Sequence, residues 1–213
     1  MTKLILIRHG MSKSNAEKTF TGQGDTPLNE TGELQAKLTA KYIIDNYKPD
    51  IVYASDLQRA FRTGEETAKL AGVDIIADKN LREIKAGEWE GLTFEELSER
   101  YGKEYDTFVH DIGNAACSGG ENVKQLAKRV TKEIRKIAKE NDSKTVVIAT
   151  HATPIRAAMC VFQNCPIEDM KDIPWVSNAS VTVLNIDGGN AEFEKISEDA
   201  HLAELVTRLP ANV

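Results

Sequence analysis

Three short apolar runs in this 213-residue chain end in the same way, and that repetition constrains the fold more than any other feature. LILIRHG runs from Leu4 to Gly10, IVYASD from Ile51 to Asp56 and VVIATHA from Val146 to Ala152. Continuous aliphatic runs of this kind read as strands covered on both faces. Each stops on polar or charged residues, and the second and third then enter a helical pattern. Short strands alternating with amphipathic stretches argue for an α/β layered fold with a mostly parallel sheet. In open sheets of that class, ligands bind at the carboxyl ends of the strands. Three such endings would deliver Arg8, His9, Arg59 and His151 to one edge.

The strands expected on this reading are Leu4–Ile7, Ile51–Ala54, Ile75–Ile76, Thr145–Ala149 and Val181–Ile186, with a weaker one near Phe193–Ile196. The clearest helix is Glu121–Asn141, where Val123, Leu126, Ala127, Val130, Ile134, Ile137 and Ala138 form one apolar stripe. A second is expected over Thr31–Tyr47, carried by Leu34, Leu38 and Ile43, and a third after Ser55. The stretch from Ile84 to Gly120 is acidic, dotted with glycine and short of strand signals. Thr93 with Glu96 three residues on is a capping-box pattern opening a helix. We read residues 84–120 as a lid-like excursion over one end of the sheet, within one domain.

Composition limits the partners. The formal net charge of −6 speaks against nucleic acid or an anionic membrane as the main partner. An anionic ligand would then need a local cluster of cations. Cys117, Cys160 and Cys165 are an odd number with no CxxC pair, which suits a reducing compartment better than a disulfide framework. The opening MTKLILIRHG has no signal-peptide pattern, and no apolar run approaches the ~20 residues of a membrane span. A cytoplasmic protein is expected, with a homo-oligomer left open.

Two guanidiniums and two imidazoles on one edge suggest a phosphoryl group, because an arginine fork matches phosphate oxygens. Gly10, Ala60 and Ala152 beside them are small and are expected to leave room for a ligand. The chain has no GxxxxGK[ST], GxGxxG or HExxH motif and no acidic run with metal-site spacing. No metal and no cofactor are therefore expected. A neutral imidazole is then a sound nucleophile for a covalent phosphoryl intermediate.

These segments resemble the histidine phosphatase superfamily, also called phosphoglycerate-mutase-like. RHGMSKSN is similar to the family's opening and TGQGDTPLNETGELQA to its next segment. SDLQRAFRTGEETA, LREIKAGEWEG, GGEN, THATPIRA, NASVTVLNID and a terminal HL follow in the family's order. The resemblance implies a three-layer α/β/α sandwich around a mixed, mainly parallel sheet. It implies that His9 becomes phosphohistidine and that Arg8, Arg59 and His151 hold the phosphoryl oxygens. It also implies that Asn15, Thr21, Gly22 and Ala152 line the substrate pocket and that Glu83 is the proton donor. Met11 stands where relatives mostly have Glu, and Ser118 where many have Pro.

Each candidate has a plainer reading. Arg59 is preferred over Arg62 because it follows SDLQ. Glu88 and Glu90 compete with Glu83, which is favoured if Trp89 and the lid dry its surroundings and raise its pKa. His110 and His201 read as structural, Trp175 and Tyr101 as packing residues, and the cysteines as small core residues.

The family includes hydrolases and mutases. Across 84–120 there are Lys85, Arg100 and Lys103 against Glu88, Glu90, Glu95, Glu96, Glu99, Glu104, Asp106 and Asp111. That balance is a poor cage for a multiply charged acid, and GEWEGLTFEELSERYG resembles the phosphatase branches. The expected function is a metal-independent phosphomonoesterase acting on small phosphorylated metabolites through phosphohistidine. The rivals are a phosphoglycerate mutase and, from another class, a catalytically silent phospholigand-binding protein on the same fold.

Overall fold

The computed structural model describes residues 1–207. In chain order they form β1 (Thr2–Arg8), α1 (Lys13–Glu17), α2 (Glu30–Asn46), β2 (Ile51–Ala54), α3 (Gln58–Ala71) and β3 (Ile75–Ala77). There follow α4 (Phe94–His110), α5 (Val123–Glu140), β4 (Thr145–Thr150), α6 (Ala152–Phe162), β5 (Val181–Asp187) and β6 (Asn190–Glu198). One sheet has the order β3-β2-β4-β1-β5-β6. Its first four strands run parallel, while β5 and β6 are antiparallel to their neighbours. The sheet is thus mixed and mainly parallel, as expected.

Alternation along β1 explains why its apolar run is unbroken. Leu4 and Leu6 join Val146 and Ile148 under Leu126, Val130, Ile134 and Ile137 of α5 and Ile155 and Met159 of α6. Ile5 and Ile7 face the other way, onto Val52, Val147 and Val183 and onto Ile43 of α2 and Ala68 of α3. Both faces are covered, so every position is apolar. Three layers result.

The stripe on α5 is buried as expected, though the helix is shorter at each end than its pattern. Asn122 caps it, accepting from Gln125 N while Gln125 Oε1 accepts from Asn122 N. The expected capping box of Thr93 and Glu96 opens α4. Between these helices, Trp89 packs edge-on against Phe20 and Phe108, with ring centroids 5.5 and 5.8 Å away. Residues 84–120 thereby share the larger apolar core instead of forming one of their own. The short helix α1 was not anticipated, although Ser12 and Asn15 carry its capping box.

The reading of α2 needs a correction. The helix forms where expected, but Leu34 is 52% exposed and Leu38 38% exposed. Its buried face is Gly32, Gln35, Ala36, Thr39, Ala40 and Ile43. Small residues lie there because α2 packs on α3, whose own buried face is Ala60, Thr63, Gly64 and Thr67 beside Arg59 and Ala68. Gln35 and Thr39 are buried because they serve backbone groups, Met11 N at 2.7 Å and Ala179 O at 2.8 Å. Leucine periodicity therefore marked the wrong stripe.

This face assignment is testable by urea unfolding. Ile43→Ala should cost about 2–5 kcal/mol, the range for truncating a buried aliphatic side chain. Leu38→Ser should stay within about 0.5 kcal/mol, as for surface substitutions. A Leu38→Ser loss matching Ile43→Ala would restore the leucine stripe.

Candidate active site

Register assembles the site. Arg8 of β1 pairs with Thr150 of β4, and Ala54 of β2 pairs with Ala149. His9, Ser55 and His151, each one residue further on, emerge at the same edge. The first turn of α3 adds Arg59, whose Nε donates to His9 Nε2 at 3.3 Å. The His9 and His151 rings meet edge-on with centroids 5.1 Å apart.

Hydrogen bonding fixes the His9 tautomer. Nδ1 lies 2.7 Å from the Gly10 carbonyl, which can only accept, so Nδ1 carries the proton. Nε2 faces the guanidinium of Arg59, which can only donate, so Nε2 keeps its lone pair. Burial, reinforced by Arg59 and Arg8, holds the His9 pKa well below the usual imidazole value. The ring is neutral with Nε2 basic.

The backbone around it is over-determined. Gly10 N donates to Thr63 Oγ1 at 3.0 Å. The His9 carbonyl accepts from Asn178 Nδ2 at 3.0 Å and from Ala179 N at 3.2 Å. Ala179 adopts φ of +59°, sparsely populated for residues with a side chain, and so brings its N–H onto both Arg8 O and His9 O. A Cβ on Gly10 would sit 2.5 Å from the Gly32 carbonyl oxygen. The small residue at position 10 therefore admits the start of α2, not a ligand. Ala60 is likewise wholly buried away from the cleft. Of the three small residues, Ala152 alone lines it.

Arg8 is almost fully buried, with NH1 donating to Val176 O at 2.7 Å and its guanidinium carbon 5.1 Å from the Trp175 ring. Arg59 NH1 and NH2 donate to Gly24 O at 2.7 Å and Gly22 O at 2.8 Å. Burial pulls both down to about 10, which leaves them charged at neutral pH. Arg62 instead joins Glu33, Glu65 and Glu66 on the surface. Glu83 Oε1 accepts from Ile84 N at 2.8 Å and Oε2 from Thr153 N at 3.3 Å. Its pKa is raised by burial, against the pull of those amides and of Arg59.

These groups border a cleft with about 570 Å³ of free space, its open mouth included. Arg8, His9, Asn15, Thr21, Gly22, Arg59, Glu83 and Ala152 all line it, as expected. His151 does not. Its ring is completely buried behind His9, with Nε2 2.9 Å from Ser55 Oγ and Nδ1 unpartnered. Trp175, expected only to pack, is on the wall beside Arg8. Trp89 is not on the wall. Phe20 and Phe108, which line the cleft together with Glu83, pack edge-on against Trp89. Met11 does not line the cleft either; its backbone is tied to Gln35 and Asn29.

None of the acids of 84–120 lines the cleft. Glu88 accepts from Tyr101, Glu96 caps α4 and pairs with Arg100, and Glu104 accepts from Ser118. Glu90 is tied to the amides of Gln23 and Ala86. What the stretch presents to the cleft is Ile84, Phe94, Phe108 and Ile112. Sequence reasoning missed Asn178, Ala179, Thr153 and Thr63. Only the small polar run NAS pointed toward the first two.

Among the described residues, no three His, Cys, Asp or Glu side chains are grouped as a metal site would need. No helix among them is long and apolar enough to cross a membrane.

Comparison with known proteins agrees with this geometry. Residues 4–199 match the family described as the histidine phosphatase superfamily (branch 1). Phosphoserine phosphatase 1 of Hydrogenobacter thermophilus is 29% identical over 204 residues, covering 96% of each chain. Phosphoglycerate mutase-like protein 4 of Arabidopsis thaliana is 29% identical over 205 residues, covering 95% of this chain and 87% of that one. The solved structure of YhfR from Bacillus stearothermophilus superposes with a TM-score of 0.90 at 29% identity, over 95% of this chain and all of that one.

The neutral histidines carry a stability signature. Burial lowers the pKa of His9 and of His151, so below the unfolded value of about 6.5 the unfolded chain binds protons that the folded one refuses. Their contribution is full above that pH and is lost as pH falls, by up to about 1.4 kcal/mol per unit for each histidine. Glu83, raised by burial, works in the opposite sense. Urea unfolding between pH 7.5 and 5.5 should therefore show a smaller loss in His151→Gln than in wild type. Equal losses would mean that His151 is charged in the fold.

Proposed function

The chain belongs to branch 1 of the histidine phosphatase superfamily, and from its cleft we propose metal-independent hydrolysis of phosphomonoesters with His9 as nucleophile. The observation that carries this reading is the lone pair of His9 Nε2, held toward the cleft by the Nδ1–Gly10 hydrogen bond and flanked by Arg8, Arg59 and Glu83. An unprotonated nitrogen between two charged guanidiniums suits attack on an anionic phosphorus centre.

In the first half-reaction Nε2 forms a bond to phosphorus as the ester P–O bond breaks. Glu83, whose pKa burial raises, gives its proton to the leaving oxygen. The ring becomes a phosphoimidazolium, with Nδ1–H still bound to Gly10 O. Free donors of Arg8 and Arg59, with the Asn15 amide, hold the phosphoryl oxygens. The unpartnered Nδ1 of His151 is a further donor behind them: Ser55 Oγ already accepts from Leu57 N, so its proton is available to His151 Nε2. In the second half, water attacks phosphorus, Glu83 takes the water's proton and the P–N bond breaks, releasing phosphate. The stretch 84–120 acts as the lid that keeps Glu83 dry. Such placed charges and donors are the means by which enzymes approach accelerations of up to ~10²¹ for these esters.

Hydrolysis is preferred to mutase chemistry because Arg8 and Arg59 are the charged cations that line the cleft among the described residues. A phosphoglycerate needs a second phosphate or carboxylate held as well. Cys117, Cys160 and Cys165 are free thiols, which fits a cytoplasmic setting.

Phosphate release from p-nitrophenyl phosphate should persist in EDTA and vanish in His9→Ala, with acid-labile phosphate trapped on wild type. Isomerisation of 3-phosphoglycerate without phosphate release would favour the mutase. Phosphate binding without either reaction would favour a silent binder. For alkyl esters, Glu83→Gln should cost about 10²–10⁴ in kcat, the range for general acid catalysis, and remove the fall in rate at high pH. Retention of that limb in Glu83→Gln would give the proton transfer to another group.

A further inference from the structure

The uncharged part of the cleft lining carries a selectivity of its own. Resting on the phosphatase reading above, we infer that the preferred substrates are phosphomonoesters of uncharged, apolar alcohols, aromatic ones foremost, and that Phe94 is a specificity-determining residue.

Few groups in the cleft are ionisable. Arg8 and Arg59 are its cationic lining residues among those described and Glu83 its one carboxyl, and the reaction uses all three. Arg8 and Arg59 have already given donors to the carbonyls of Val176, Gly22 and Gly24. What remains of their forks is needed by the phosphoryl dianion. The rest of the wall includes Phe20, Ile84, Phe94, Phe108, Ile112 and Trp175. Of these, the indole N–H of Trp175 is the one polar side-chain group, and the uncharged Asn15, Thr19, Thr21 and Thr153 complete the lining.

A carboxylate on the leaving group would lose its water against that wall and meet no cation there. The cations of 84–120 are elsewhere: Lys85 and Lys103 are exposed and Arg100 is paired with Glu96. Burying an unpaired charge is costly, so such a substrate is held weakly. An ammonium group close to Glu83 would also keep that carboxyl ionised and so oppose proton donation. A ring, by contrast, finds aromatic partners already set edge to face, with Phe20 and Phe108 centroids 5.1 Å apart at 76°. Phe94 closes the wall from the first turn of α4. It is half-buried and lies parallel to Tyr105 at 6.5 Å, so its replacement leaves the core beneath intact.

The test separates this inference from the reading it rests on. Leaving groups of similar basicity are compared, 2-phenylethyl phosphate against O-phosphoserine and 3-phosphoglycerate, with p-nitrophenyl phosphate as the common control. The expected result is a kcat/KM at least about tenfold higher for the phenylethyl ester, which corresponds to about 1.4 kcal/mol. Phe94→Lys should shift that ratio toward the carboxylate substrates, chiefly through KM, while inhibition by inorganic phosphate stays within about twofold. Hydrolysis of the control together with phosphoserine cleavage equal to or faster than the phenylethyl ester would overturn the selectivity and leave the phosphatase standing. An unchanged ratio in Phe94→Lys would remove Phe94 from the specificity role. No hydrolysis of any ester, the control included, would bring down the phosphatase reading itself.

Discussion

Parallel pairing of β1 with β4, with Arg8 level with Thr150, is the constraint on which the site depends. It brings the ends of two strands from opposite halves of the chain to one height, and β2 beside β4 does the same for Ser55. A slip of one residue would turn Leu4 and Leu6 toward α2 and would part His9 from His151. The alternating burial of β1 between its two helical layers opposes any such slip. The packing that stabilises the sheet is thus the same packing that aligns the catalytic edge.

Holding two guanidiniums and two imidazoles together out of water needs an electrostatic solution. Arginine keeps its charge under a desolvation that histidine does not withstand, because its free-solution pKa is so much higher. Burial therefore sorts the cluster into two cations, Arg8 and Arg59, and two neutral rings. Carbonyls stand in for the missing counter-ions: Gly22, Gly24 and Val176 accept from the guanidiniums, and Gly10 from His9. The result is a pocket with positive charge and one unprotonated ring nitrogen, His9 Nε2, facing Arg59. Glu83 is raised by the same burial and is the carboxyl that lines the cleft among the described residues.

The acidic segment shows how composition can mislead. Eight acids against three bases over 84–120 made a poor cage for a multiply charged acid, but those acids cap α4, accept from Tyr101, Ser118, Asn114 and the amides of Gln23 and Ala86, or face solvent. The roof is hydrocarbon, carried by Phe94, Phe108 and Ile112 on the aromatic base of Trp89. Its discrimination against charged leaving groups comes from desolvation, not from repulsion by a field of carboxylates.

The sequence by itself determined the fold class, the strands, most helices and the identity of the residues that meet at the strand ends. Those are written in local patterns: unbroken aliphatic runs, the α5 stripe, the capping box at Thr93, and motif residues such as Arg8, His9 and Arg59. Tertiary structure decided what depends on two distant segments meeting. It turned Leu34 and Leu38 outward because α2 needed a small-residue face against α3. It set Gly10 against Gly32 and not against a ligand, moved Trp175 onto the wall, and placed His151 behind His9 instead of beside it. Ala179, strained to reach the carbonyls of Arg8 and His9, has no local signal for that conformation beyond the small polar run around it. A residue's chemistry is fixed by its own atoms, but which face it buries and what it touches are fixed by chain that lies far away in sequence.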